Sequence, residues 1–211
     1  MILFKDILNE NVIINEWSKN DPIPEITHNV NEKLAIFLLG TPGGGKTTFS
    51  KNFILPRNPN FKTFSTDDIS LLFTKDDTKY HEGSAVLNKK YIMQYIKTGE
   101  NFIYDGSGAN PELIFKLNSV ARENGYKVII IYLMAPLNMA KKQNLQRVRN
   151  VPEDYIEFAY NTAQENMHQY AREIKPDNLY IVLNIEGKYK FMKYENGKIL
   201  KKKNDKYVPV H

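Results

Sequence analysis

Leu34-Ala35-Ile36-Phe37-Leu38-Leu39 runs without a break into Gly40-Thr41-Pro42-Gly43-Gly44-Gly45-Lys46-Thr47. The apolar run reads as a strand buried on both faces. The eight residues after it fill every position of G-x-x-x-x-G-K-[ST]. Glycines at these places let the chain fold back so that successive N–H groups point into one hollow. Those donors, with the N-terminus of the helix that follows, bind phosphate oxygens. Lys46 is placed for the β- and γ-phosphates, and the Thr47 hydroxyl for Mg²⁺. Gly40, Thr41, Pro42, Gly43, Gly44, Gly45, Lys46 and Thr47 are thus the candidate contacts for ATP-Mg²⁺ or a close relative. Thr48 joins the set at its edge, where it is first of all a helix residue. The motif fixes a phosphate site and not a reaction.

Outward from this loop, strands and helices alternate. Phe61 to Ser65 is predicted as a short strand and Ser84 to Thr98 as a helix, with Ser84 as its cap and Gly99 past its end. Phe102 to Tyr104 is the next strand. Asn110-Pro111 opens a helix whose apolar face carries Leu113, Ile114, Leu117, Val120 and Ala121, and Gly125 closes it. Lys127 to Met134 is the strongest strand; helices follow around Leu137 to Leu145 and Pro152 to Ile174, then a strand at Leu179 to Leu183. Repeated β-α units predict an α/β fold in three layers: a central, mostly parallel sheet flanked by helices.

Two segments lie outside this pattern. Residues 1–30 read as an appendage, with one short amphipathic helix broken by Asp21-Pro22-Ile23-Pro24. The core is expected over 31–185. From 186 to 211 the period becomes two around Glu195-Asn196-Gly197, which predicts a β-hairpin added to the core. This extension holds eight lysines against Glu186, Glu195 and Asp205, so it carries the whole of the chain's net charge of +5. Such a patch attracts a polyanion at low salt, or simply guards a sheet edge. The 211 residues include no cysteine and no apolar run long enough for a bilayer. No signal peptide is read at Met1 to Asp6, and a cytoplasmic location is expected.

Ligands of open α/β sheets sit beyond the carboxyl ends of the strands. Thr66-Asp67-Asp68 follows one strand there, and Asp105 follows another. Transfer of a phosphoryl group to an alcohol needs a carboxylate near the acceptor's proton, and Mg²⁺ held by a hydroxyl and sometimes an aspartate. Asp67 or Asp68 can fill the first role, and Asp105 can assist either one. Arg147 and Arg149 fall between two predicted helices, just before Val151-Pro152-Glu153. A guanidinium in such a lid grips the charge that spreads over a transferring phosphoryl group.

The order of Gly40-Thr41-Pro42-Gly43-Gly44-Gly45-Lys46-Thr47-Thr48-Phe49, Asn58-Pro59-Asn60-Phe61, Ser65-Thr66-Asp67-Asp68, Ile103-Tyr104-Asp105, Asn110-Pro111-Glu112 and Arg147 to Pro152 resembles the kinase half of phage polynucleotide 5′-hydroxyl kinases. Zeta-toxin-like kinases share much of the same plan. The resemblance covers about residues 33–160. It implies a P-loop kinase fold, Lys46 and Thr47 on ATP-Mg²⁺, Asp67 as the base for the acceptor hydroxyl, and Arg147 or Arg149 as the lid arginine. Short size and a composition rich in lysine, asparagine and isoleucine agree with a phage origin. Ser70 stands where the polynucleotide kinase pattern has an arginine, and no Asp-x-Asp-x-Thr phosphatase motif follows the core.

Three functions fit these residues. The first is an ATP-dependent kinase acting on a hydroxyl of a polynucleotide, at a 5′ end or on a modified base, with the lysine-rich extension gripping the nucleic acid. The second keeps the chemistry and takes a small acceptor such as a nucleotide sugar. The third is an NTPase module with no phosphoryl acceptor. Removing 186–211 is expected to weaken a polyanionic acceptor and leave ATP binding as it was.

Overall fold

The computed structural model describes residues 32–65, 81–147, 150–196, 198–203 and 206–209. Strand β1 (Leu34–Gly40) is followed by helix α1 (Lys46–Phe49), which widens into a π-type stretch at Ser50–Ile54. Then come β2 (Lys62–Ser65), α2 (His81–Ile96), β3 (Phe102–Gly106) and α3 (Pro111–Glu123). The chain continues through β4 (Lys127–Met134), α4 (Leu137–Leu145) and α5 (Glu153–Gln169, extended by Tyr170–Ile174) to β5 (Asn178–Ile185). It ends in β6 (Lys188–Glu195), β7 (Lys198–Lys203) and β8 (Lys206–Pro209). The predicted α/β sandwich is present, with helix α2 starting three residues before its expected cap.

All eight strands form one sheet in the order β2-β3-β1-β4-β5-β6-β7-β8. The first five run parallel and the last three antiparallel. The expected hairpin is therefore β6 and β7, lengthened by β8 and joined edge-on to β5. The chain lays β3 on one side of β1 and β4 on the other, so the carboxyl end of β1 opens at the point where the winding changes direction. That is where such sheets place ligands.

Alternation along the strands sorts the core onto two faces. Ala35, Phe37, Leu39, Tyr104, Ile130 and Tyr132 pack on one side with Ile92 and Ile96 of α2, Ile114 and Leu117 of α3, and Met167 and Tyr170 from α5. Ile36, Leu38, Ile103, Ile131, Val182, Tyr189 and Phe191 pack on the other side with Phe49, Phe53 and Ile54. Every residue of β1 is buried. At about 1.5–3 kcal/mol for each large apolar side chain taken from water, this strand is a principal anchor of the fold. Helix α3 begins as its residues dictate: the Asn110 side chain accepts from the Leu113 N–H at 3.1 Å, and Pro111 occupies the first turn.

Among the described residues, no helix is long and apolar enough to cross a membrane. Asp67, Asp68, Ser70, Arg149 and residues 1–30 lie outside the described residues.

Candidate functional site

The loop between β1 and α1 is built by close backbone approaches. The Gly44 N–H donates to Thr41 O at 3.0 Å, and the Gly40 N–H donates to Ser107 O at 3.2 Å. Gly43 has φ 76°, and a Cβ added there would lie 2.2 Å from Ala140 O. Only glycine allows both that dihedral and that contact. The loop is thereby seated on α4, whose far end leads to Arg147.

Lys46 donates from Nζ to Gly40 O at 2.9 Å and to Thr41 O at 3.4 Å. The same ammonium stands 4.0 Å from Asp105 Oδ1, with the two side chains 12% and 10% exposed. Thr47 Oγ1 lies 3.5 Å from Asp105 Oδ2, at the limit of a hydrogen bond. An ammonium, a hydroxyl and a carboxylate thus meet beside the loop. A nearly buried pair of this kind contributes little net stability, because desolvation offsets the attraction. Its presence is better explained by what it can bind.

Asp105 belongs to β3, level with Leu38 of β1 and Ser65 of β2. Its side chain is on the α1 side, shared with Ile103, while Tyr104 is on the other. Burial first, then the charge of Asp105, pushes the Tyr104 hydroxyl up to about 12, so it stays protonated at neutral pH. Beyond Asp105 the chain is pinned. Asn166 Nδ2 donates to Gly108 O at 2.8 Å, and the Tyr170 hydroxyl donates to the same carbonyl. The Ser107 hydroxyl shares a hydrogen bond of 3.0 Å with the Tyr155 hydroxyl.

Ser65, the last described residue of β2, lies in register beside Asp105, two positions before Asp67 in the sequence. Arg147 follows α4, its N–H donating to Asn144 O at 3.1 Å. Buried Asn144 closes the base of the loop that contains it: Nδ2 donates to Val151 O at 2.9 Å and Oδ1 accepts from the Val151 N–H at 3.0 Å. Thr48 is exposed, as a helix residue beside the loop would be.

Three asparagines that sequence reading passed over hold this site: Asn144, Asn166 and Asn184. Asn184 sits on β5, 2% exposed, and its Nδ2 donates to Gly44 O at 2.9 Å. Its Oδ1 accepts from the Gly187 N–H at 3.0 Å. A signal was present in the sequence, since Asn184 is the one amide inside the apolar run from Leu179 to Ile185. Nearby, Tyr189 of β6 packs on Phe49 at 5.3 Å and on Phe53 at 5.0 Å between ring centroids. The C-terminal extension is therefore packed against the helical segment that follows the nucleotide loop, so its removal would uncover Phe49 and Phe53 as well as take away lysines. Alternating aromatics told which residues share a face but not what they pack against.

Among known proteins, the L-seryl-tRNA(Sec) kinase of Methanococcus maripaludis is 29% identical over 147 residues, which cover 68% of this chain and 57% of that protein. The chain thus spans little more than half the length of that curated relative. The structure of the PezAT toxin–antitoxin system of Streptococcus pneumoniae superposes with a TM-score of 0.60 at 18% identity, over 72% of this chain and 69% of the other. AvrRxo1-ORF1:-ORF2 with ATP gives 0.64 at 16% identity, over 80% and 60%. At these identities the likeness is one of fold. The Zeta toxin family profile matches residues 20–198, well over half the chain, including the phosphate loop, Asp105 and the Arg147 loop. The chain belongs to the Zeta toxin family of P-loop kinases.

Proposed function

We propose that this protein transfers the γ-phosphoryl group of ATP to a hydroxyl carried on a polyanionic acceptor. The observation that carries the reading is the meeting of Lys46 Nζ, Thr47 Oγ1 and the Asp105 carboxylate at the carboxyl end of β1. Loop amides and the Lys46 ammonium suit a triphosphate, and they favour the charge that grows on its oxygens during transfer. A hydroxyl and a carboxylate oxygen 3.5 Å apart are hard oxygen donors of the type Mg²⁺ takes. Thr47 and Asp105 would hold that ion, which when bound neutralises charge on the phosphates.

Asp67 is assigned as the base that accepts the proton of the attacking hydroxyl. The placing of Ser65 beside Asp105 supports this, because Asp67 is only two residues further along the chain. Arg147 and Arg149 are assigned to the transferring phosphoryl group, from a loop whose base Asn144 fixes.

The C-terminal extension carries the excess positive charge that a polyanion would meet. Lys198 pairs in register with Glu195, and Lys201 with Met192, on strands that continue the sheet away from the loop. Lysines on such a surface bind phosphates in a salt-dependent way. The seryl-tRNA kinase is named for a substrate that joins a hydroxyl to a nucleic acid, which agrees with this class. A small acceptor such as a nucleotide sugar is the second reading, since the meeting of Lys46, Thr47 and Asp105 serves any hydroxyl acceptor.

The test is incubation with γ-labelled ATP and a panel of acceptors: 5′-hydroxyl DNA and RNA, hydroxymethylated DNA, aminoacylated tRNA and nucleotide sugars. Label on a polynucleotide, with affinity falling as salt rises, supports the first reading. Label only on a nucleotide sugar supports the second. Asp67→Asn is expected to keep ATP binding and lose at least ~10²-fold in transfer. Unaltered transfer would remove Asp67 from its role.

A further inference from the structure

The extension begins with a turn that holds the phosphate loop. Strands β5 and β6 are joined by Glu186 and Gly187, at φ 53° and 83°. Positive φ at both central residues is the two-residue hairpin geometry that suits twisted strands. Glycine takes it freely, but glutamate rarely does, and strain held at one residue needs a compensating contact. This turn aims the Gly187 N–H at Asn184 Oδ1, at 3.0 Å, and the Glu186 N–H at Met139 Sδ of α4, at 3.2 Å.

With its oxygen so occupied, the Asn184 amide is turned with its NH₂ group toward the loop. Nδ2 donates to Gly44 O at 2.9 Å and would stand 2.5 Å from a Cβ placed on Gly45. Asn184 is surrounded by apolar neighbours on its own face of β5, including Val182 and Tyr180. A leucine of similar volume would satisfy packing there, whereas a buried amide is favourable only when its groups are paired. The polar contacts to Gly44 and Gly187 are therefore what the position requires.

We infer that Asn184 is a positioning residue for the nucleotide: with the Glu186–Gly187 turn it clamps the phosphate loop in the conformation that receives the triphosphate. The clamp holds the Gly44 carbonyl toward buried Asn184 on β5, which leaves the amides on the other side of the peptide chain for phosphate oxygens. It acts through the loop and touches no reacting atom. This rests on the nucleotide site proposed above.

The experiment is calorimetric titration of the full chain with ATP-Mg²⁺ and with inorganic tripolyphosphate, for wild type, Asn184→Ala and Asn184→Asp, beside thermal melts. Asn184→Asp keeps an acceptor for the Gly187 N–H and sets an anionic oxygen against the Gly44 carbonyl. Both variants are expected to bind ATP and tripolyphosphate at least tenfold more weakly at a temperature where each is folded. A fall in melting temperature with Kd within twofold of wild type would make Asn184 merely structural and overturn the inference. Should both variants fail to fold, amide hydrogen exchange on the wild type decides. ATP must slow exchange in 184–189 together with 40–47, and protection confined to 40–47 overturns the clamp. A wild type that binds neither probe overturns the nucleotide site, and the clamp with it. Wild-type binding with unchanged variants overturns the clamp alone.

Discussion

Thr47 Oγ1 and Asp105 Oδ2 lie 3.5 Å apart across 58 residues of chain, because β1 and β3 are neighbours in register. The pair makes the dependence on metal testable. Asp105→Asn keeps the shape and removes the charge. The Mg²⁺ concentration giving half-maximal turnover is expected to rise about 10–100-fold, the range seen when a group supporting a metal is lost. A Mg²⁺ titration of the variant checks it, and an unmoved midpoint would place the ion elsewhere.

Lys46 is held by two carbonyls of its own loop and by Asp105, so it is organised at the phosphate position. Lys46→Ala is expected to weaken ATP binding or turnover by at least tenfold, the equivalent of about 1.4 kcal/mol. The variant also takes this cation from the nearly buried Asp105 carboxylate, so a lower melting temperature is expected alongside. Titration with ATP together with a thermal melt separates the two effects.

Asn144→Ala leaves the N–H and C=O of Val151 without partners in a buried place. A loss of about 1–3 kcal/mol is expected for each unsatisfied group. Urea unfolding measures it. Because the same asparagine closes the base of the Arg147 loop, transfer should fall further than ATP binding does. Equal losses in both would mean that the loop's closure has no bearing on the phosphoryl group.

His168 Nδ1 is 2.7 Å from the Tyr194 hydroxyl, which ties α5 to β6. Burial first, and the positive charge of Arg172 second, lower the His168 pKa below its ordinary 6.5. The unfolded chain therefore takes up this proton at higher pH than the folded chain does. Stability at this site is intact above about pH 6.5 and declines as pH falls through that value toward the lowered one. The melting temperature of wild type should drop more steeply from pH 7.5 to 5.5 than that of His168→Gln. Parallel curves would refute the linkage.

The parallel core and the phosphate loop were legible because apolar runs, glycine spacing and helix caps are local signals. Leu34 to Leu39 says buried strand wherever it is placed, and Asn110-Pro111 says helix start. Asp105 was legible because it ends such a run. The three supporting asparagines were not. Asn144 and Asn166 have no spacing to betray them, Asn184 stands out only as the one amide in an apolar run, and only the partner across the fold gives each its task. Asn144 finds Val151 seven residues on, but Asn184 finds Gly44 across 140. The extension was legible as strands, yet period two leaves open which edge they join. The two-residue turn at Glu186–Gly187 lays β6 beside β5, and the tertiary contacts of Tyr189 with Phe49 and Phe53 show which face is inward.

The Glu186–Gly187 turn has one more effect, on register. Its two-residue length sets Asn184 opposite Tyr189 and Val182 opposite Phe191. Adding a single residue there would swap the sides of β6, carrying Met192 and Tyr194 under α1 and turning Tyr189 and Phe191 away from it. A spacer inserted at that point would thus scramble half a core and unseat the nucleotide loop together, whereas one inserted between β7 and β8 would disturb only the sheet's outer margin.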